Sequence, residues 1–258
     1  MNMDFTNKVV VITGAEGGIG EAMVRQFAEA GAKVAICELK CKGELEKELT
    51  AAGKEVKSFS FDVSKKAEAL EAMKQIAETF GRIDVLINNA GINVGPDERK
   101  TVEHFSDAWW DAILRVDLDG VFNCSKAAIP YMTGENVSIL NTSSITGMVP
   151  LRNQCAFASA KAGVINLSKA MALELAPKGI RVNVIAPGTI GIEVTNKLWQ
   201  DNKAMEGLLS HIPMARQGKP SEIANAALFL SSEMATYITG AVLPVDGGWT
   251  CGGFARNF

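Results

Sequence analysis

A chain of 258 residues that is 47% hydrophobic can bury a large core and fits one sizeable α/β domain. Its net charge of −3, with Lys and Arg dispersed, offers no basic surface for nucleic acid. No apolar stretch approaches the roughly 18–20 residues that cross a bilayer, and Met1-Asn2-Met3-Asp4 lacks a charged, then hydrophobic leader, so a cytoplasmic protein without a membrane partner is expected.

The first apolar run, residues 8–12, leads into Thr13-Gly14-Ala15-Glu16-Gly17-Gly18-Ile19-Gly20 and then into a helical pattern over 21–30. A strand, a glycine turn and a helix N-terminus in that order suit a pyrophosphate. Glycines let the backbone approach closely, while unpaired amides and the helix dipole favour negative charge. A second run, 33–37, ends at Glu38, eighteen residues beyond Gly20, where a carboxylate could accept hydrogen bonds from an adenosine ribose. The pattern continues as helix 42–52, strand 56–61, helix 65–80, strand 85–88, helix 105–131, strand 137–141, helix 157–176, strand 181–185, helix 221–230 and strand 241–245. Two stretches, 92–103 and 191–217, carry no periodicity. Both follow strand C-termini, the ligand-binding edge of such sheets, and Leu198, Trp199, Met205, Leu208 and Leu209 would give the second an apolar face able to close over a substrate. The strand runs are continuously apolar, so both sheet faces should be covered. That implies a doubly wound parallel sheet of seven strands with helices on either side, one domain over 1–258.

From residue 8 to 249 the chain resembles the short-chain dehydrogenases/reductases in their compact form. The resemblance rests on the Thr-Gly-x-x-x-Gly-x-Gly turn, Asp62-Val63, Asn88-Asn89-Ala90-Gly91, Ser143-Ser144, Lys161, Pro187-Gly188 and Asp246-Gly247-Gly248. It implies a single-domain Rossmann-like fold and a nicotinamide dinucleotide held by Gly14, Gly18, Ile19, Gly20, Glu38, Asp62, Val63, Asn89, Gly91, Lys161, Pro187, Gly188 and Ile190. In that reading Asp62 accepts from the adenine amino group with Val63 beside the ring. Asn89 and Gly91 bring backbone to the ribose, and Ile190 meets the carboxamide. Other readings stay open: Asp62 could simply cap the helix that follows, and Asn88 could satisfy backbone groups between strands. A carboxylate at Glu38 accepts from a 2′-hydroxyl and repels a 2′-phosphate, and Gly17 stands where phosphate-preferring relatives commonly carry a cation. NAD is expected over NADP, with Lys40 and Lys42 nearby as a counterweight.

The catalytic positions depart from the family. Relatives place a Tyr four residues before the Lys, on the same helix face; this chain has Phe157, without the phenolic oxygen that exchanges a proton with the substrate. Ser144 matches the residue that polarises the substrate oxygen, and Lys161 the one that holds the nicotinamide ribose. Asp117 replaces an Asn that holds a relay water, and Ile192 stands where many relatives use Thr on the pyrophosphate. Three readings of Phe157 compete: a deliberate Tyr-to-Phe change that binds ligand without turnover, a natural non-catalytic nucleotide binder acting as sensor or scaffold, and a relocated acid. Neither Tyr131 nor Tyr237 is a candidate for that acid.

Intact chemistry of this kind interconverts a secondary alcohol and a ketone. Arg152, Asn153 and Gln154 lie in a stretch that borders the substrate in relatives, and their polarity points to a sugar, polyol or hydroxy acid. The apolar 191–217 loop leaves acyl or steroid ketones open. Helices carrying Ala127, Ala128, Ile129 and Met132, and Ala162, Val164, Leu167 and Ala170, look apolar on more than one face, so a homo-oligomer, tetramer or dimer, is expected. Phe254, Arg256 and Phe258 at the tail could reach a neighbouring subunit or remain a loose end. Cysteines 37, 41, 124, 155 and 251 lack paired spacing, and only His104 and His211 are present, so neither a disulfide scaffold nor a metal site is expected.

Overall fold

The computed structural model describes residues 3–192 and 202–252. Seven parallel strands form one sheet in the order β3-β2-β1-β4-β5-β6-β7: β1 Val9–Thr13, β2 Lys33–Glu38, β3 Val56–Ser60, β4 Val85–Asn88, β5 Ser138–Thr142, β6 Arg181–Pro187 and β7 Val242–Val245. The order reverses between β1 and β4, which pair in parallel from Val10 opposite Val85 to Ile12 opposite Ile87. Connections leave these strands toward opposite faces, so a crevice opens beyond their C-terminal ends. β1, β4, β5 and β6 are buried along their whole length, as continuous Val and Ile runs require. The two edge strands are more open: β3 mixes buried and exposed positions, and β7 is half-buried throughout.

Helices cover both faces. α1 (Gly18–Glu29), α2 (Glu44–Ala51) and α8 (Pro220–Ser231) pack on one face through Met23, Val24, Phe27, Leu45, Ile223 and Ala227. α3 (Lys66–Phe80), α5 (Gly120–Ala128) and α6 (Cys155–Leu175) pack on the other through Met73, Ile76, Cys124, Ala128 and Met171. Full burial of side chains this size contributes about 1.5–3 kcal/mol each.

Two sequence expectations change. The helix expected over 105–131 begins at Asp107, where Ser106 accepts from Trp109 N, and it divides into α4 (Asp107–Leu114), a π-helical turn (Arg115–Asp119), α5 and a 3-10 turn (Ile129–Tyr131). The backbone stays right-handed helical throughout; only the hydrogen-bond register widens. The stretch expected to be structureless over 191–217 contains α7, Asn202–Leu209, in which Met205 and Leu209 are half-buried. Leu198, Trp199 and the tail from residue 253 lie outside the described residues, as does the Leu208 side chain. No helix among the described residues is long and apolar enough to cross a membrane.

Arg181 enters the core without a carboxylate partner among the described residues. Its guanidinium donates to Leu230 O at 2.7 Å and Ser232 O at 3.3 Å, at the C-terminal end of α8, and to Ile238 O at 3.4 Å in the loop before β7. Burial pushes its pKa down from the ordinary Arg value. Arg181→Met leaves those carbonyls without a charged donor. It should cost roughly 1.5–3 kcal/mol, read as a lower urea midpoint at unchanged slope.

Candidate active site

The glycine turn after β1 is sewn to the loop after β4. Thr13 Oγ1 accepts from Asn89 N at 3.0 Å and Ala90 N at 3.1 Å, and Asn89 Nδ2 donates to Gly14 O at 3.1 Å. Gly14 has φ +62°, and a Cβ there would lie 2.8 Å from Ala90 Cα, so only glycine satisfies both the turn and the close approach. α1 starts at Gly18 with Gly17 as N-cap and no side-chain cap, which leaves the first-turn amides of Gly18, Ile19 and Gly20 available to an anion. This cradle fits a dinucleotide pyrophosphate. Ile192 lies against it, its Cγ2 2.6 Å from where a Cβ on Gly18 would sit, so the side chain facing the turn here is apolar.

Beside the turn, Glu38 Oε2 accepts from Glu16 N at 3.4 Å and Oε1 from Leu39 N at 3.0 Å. The carboxylate thus joins the end of β2 to the glycine turn. Asp62 Oδ1 accepts from Ser64 N at 2.8 Å in a turn that precedes α3, whose N-cap is Lys65, so Asp62 does not cap the helix; Glu68 accepts from Asp62 N at 2.9 Å. Val63 packs into the core under α3 and α5, and its carbonyl accepts from Asn123 Nδ2 at 3.1 Å. At the far side, Pro187 ends β6, Gly188 N donates to Val245 O at 3.0 Å, and the Ile190 side chain is buried in the α1/α8 core while its carbonyl accepts from Ile192 N at 2.9 Å.

Three of the candidate catalytic positions, Asp117, Phe157 and Lys161, meet beyond β4 and β5. Lys161 Nζ, on α6, lies 3.0 Å from Asp117 Oδ2 and donates to Thr142 O at 3.2 Å. Both residues are buried, at 4% and 0% exposure. Asp117 Oδ1 accepts from Ile92 N at 2.8 Å, so one carboxylate ties the π turn both to the β4 loop and to α6. Gly91 lines this pair: a Cβ would come within 2.8 Å of Asp117 Oδ2 and 3.2 Å of Lys161 Nζ. Ser143 Oγ donates to Lys161 O at 2.7 Å and fastens α6 to the end of β5. Its neighbour Ser144 accepts from Thr146 N at 3.2 Å, which orients the oxygen while leaving the hydroxyl proton to be donated. Phe157 is half-buried among Ile92, Ile113 and Ala160, with Lys161 Nζ 5.4 Å from its ring centroid. The ammonium therefore sits over the phenyl ring, one turn on along α6.

The expected substrate residues divide. Arg152 and Asn153 are exposed on the approach to α6, Asn153 with φ +61°. Gln154 is buried, and its Oε1 accepts from Asn93 Nδ2 at 3.0 Å, so it braces the β4 loop against the start of α6.

Sequence reasoning missed two features. One is a buried polar chain: Asn88 Nδ2 donates to Asn141 Oδ1 at 2.8 Å and Ser125 Oγ at 3.0 Å, while Asn141 Nδ2 donates to Ser168 Oγ at 2.8 Å. It ties β4 and β5 to α5 and α6, so Asn88 serves side chains rather than the backbone groups suggested above. Ser168 falls seven residues after Lys161, two turns along the same helix face, and that spacing beside Asn-containing apolar strands was the available signal. The other is Glu16, whose carboxylate accepts from Lys42 N at 3.0 and 2.9 Å and from Gly43 N at 3.4 Å.

Comparison with known proteins agrees with this geometry. A family profile described as enoyl-(acyl carrier protein) reductase matches residues 14–250. The 3-oxoacyl-[acyl-carrier-protein] reductase of Thermotoga maritima is 40% identical over 249 residues, covering 95% of this chain and 99% of that protein. The 2,5-dichloro-2,5-cyclohexadiene-1,4-diol dehydrogenase of Sphingobium indicum is 40% identical over 250 residues, covering 95% and 97%. The crystal structure of gox2181 superposes with a TM-score of 0.92 at 31% identity, covering 96% of this chain and 97% of that one. These matches run along nearly the whole chain in both sequence and fold, and the chain belongs to the short-chain dehydrogenase/reductase family of oxidoreductases.

Proposed function

We propose that this protein binds NAD across the crevice between β1 and β4 and that its site is built to interconvert a secondary alcohol and a ketone, with Phe157 as a Tyr-to-Phe change that holds the chain short of turnover. The observation that carries this reading is the meeting of Asp117 and Phe157 at Lys161, on the helix that Ser143, the neighbour of Ser144, fastens to the end of β5. The nicotinamide, when bound, supplies or accepts the hydride at C4. The chain's own part is positional and electrostatic. Gly14, Gly18, Ile19 and Gly20 receive the pyrophosphate, and Glu38 takes the ribose hydroxyls. Asp62, Val63, Asn89 and Gly91 border the adenosine, and Pro187, Gly188 and Ile190 border the nicotinamide. Ser144 donates to the substrate oxygen, and the Lys161 ammonium lies where it can bond the nicotinamide ribose. The proton that must leave the alcohol has no phenolate to receive it at 157, so binding outlasts chemistry.

For the substrate, the names of relatives span a 3-oxoacyl thioester reductase and a cyclic diol dehydrogenase. Exposed Arg152 and Asn153 favour a sugar, polyol or hydroxy acid here. In the same reading the whole chain works as one cytoplasmic unit and assembles as a dimer or tetramer. Phe122 on α5 and Leu173 on α6, 45% and 80% exposed, support an apolar contact between copies, as do exposed Ala162 and Ala170. Ala127, Ala128, Met132 and Val164 contribute nothing to such a contact, because they are buried within the chain.

One observation favours a second reading, a naturally non-catalytic NAD-binding sensor or scaffold: Asp117 already gives Lys161 a counter-ion, so the site is electrostatically complete without a phenol. The test is a panel of polyols, sugar alcohols and hydroxy acids, with acyl thioester and steroid ketones as controls. Each is assayed with NAD or NADH on the Phe157→Tyr form. Activity confined to the polar group supports the proposal; activity only on the controls overturns the substrate class. If both forms bind NADH and neither turns over any compound, the sensor stands instead.

A further inference from the structure

The start of α2 is an anion site that the chain fills itself. The amides of Lys42 and Gly43 precede Glu44, the first residue of the helix, and Gly43 is the N-cap with φ +80° and no side-chain cap of its own. Unpaired amides at a helix start attract an anion. Here the anion is the Glu16 carboxylate: both of its oxygens accept from Lys42 N, at 3.0 and 2.9 Å, and one also accepts from Gly43 N at 3.4 Å. Glu16 reaches across from the glycine turn to do this, and its own amide donates to Glu38 Oε2 at 3.4 Å. The two carboxylates therefore sit together where the end of β2, the glycine turn and the start of α2 meet. The other charged groups on these segments are Lys40, Lys42 and Glu44, all exposed.

We propose that Glu16 is a built-in stand-in for a nucleoside 2′-phosphate, occupying the amides that would otherwise receive that phosphate and so excluding dinucleotides that carry it. The inference rests on the glycine turn and Glu38 holding an adenosine ribose, as proposed above. It goes further by assigning exclusion to two separate devices. Glu38 repels a 2′-phosphate and rewards a free 2′-hydroxyl, whereas Glu16 removes the phosphate's hydrogen-bond donors and adds a second negative charge. Lys40 and Lys42 are the cations that a phosphate could recruit once Glu16 is gone.

The experiment is isothermal titration of the full chain with NADH, NADPH and adenosine 2′,5′-bisphosphate, for the native protein, Glu16→Ser and Glu16→Gln. Ser removes the carboxylate and frees both amides. Gln keeps an acceptor on them and removes only the charge, and its matched shape guards against a variant that misfolds. The ratio of NADPH to NADH dissociation constants should fall by about tenfold to a hundredfold in Glu16→Ser, the range of one or two charge-assisted hydrogen bonds. It should fall by a smaller factor in Glu16→Gln, and adenosine 2′,5′-bisphosphate should tighten in parallel. If NADH binds all three forms and the ratio stays within about twofold of the native value, Glu16 has no such role, while the NAD site stands. If the native protein binds no NADH, the cofactor reading itself falls and this inference with it.

Discussion

Phe157→Tyr should raise the rate of NADH formation from a suitable secondary alcohol by about 100- to 10,000-fold, the usual contribution of a positioned general acid or base. The ring is already half-buried against Ile92 and Ile113, so the added oxygen changes little of its packing. Lys161 lies four residues on, its ammonium 5.4 Å from the ring centroid, and a positive charge at that range favours the phenolate that must take the alcohol's proton. The rate should therefore climb with pH until the introduced phenol is fully ionised and then level off. Asp117 works against this. Its carboxylate, 3.0 Å from Lys161 Nζ, offsets the positive charge that the phenol would feel. Adding Asp117→Asn to Phe157→Tyr should shift the rising limb to lower pH, whereas a purely structural role for Asp117 would lower the rate at every pH and leave the limb in place. Initial rates at saturating NAD over a pH series, with NADH binding measured alongside, separate the two. A gain under about tenfold with unchanged NADH affinity would count against the oxidoreductase reading and for the sensor.

What the sequence revealed, and what it hid, follows from how far each signal acts along the chain. The sheet was readable because strands buried on both faces need unbroken apolar runs, and all seven begin at the expected residue or within one of it. β4 matched at both ends. The glycine turn was readable because Gly14 must adopt a positive φ, a local demand that local sequence meets. The π turn was not. Its dihedrals remain helical, and the apolar pattern runs through it, so nothing between 105 and 131 marks the register change that aims Asp117 at Lys161. Glu16 escaped for the opposite reason: its partners at Lys42 and Gly43 are far along the chain and meet it only once β1 and β2 pair. α7 was hidden because its eight residues sit inside a longer aperiodic stretch.

The largest loss of stability from one substitution at the site should come from Asp117→Ala. Breaking a buried ion pair from one side typically costs about 3–5 kcal/mol, because the remaining charge stays buried without compensation. Here the surviving group would be the Lys161 ammonium, left with Thr142 O at 3.2 Å and the Phe157 ring at 5.4 Å but no carboxylate among the described residues, and Ile92 N would lose its acceptor as well. Against a total folding stability of about 5–15 kcal/mol, that is enough to populate the unfolded chain. Asp117→Asn keeps an acceptor for Ile92 N and should cost less. The informative comparison is the double substitution Asp117→Leu with Lys161→Met. Apolar residues of similar volume often replace a buried pair at no net cost, so the double form should be more stable than either single one, with a coupling of about 1–3 kcal/mol in the cycle. Urea unfolding of the four proteins measures it. Additive losses would mean that the two side chains do not depend on each other for burial. The NADH affinity of the double form completes the argument: if Lys161 is held for the ribose rather than for the fold, the protein regains stability while cofactor binding stays lost.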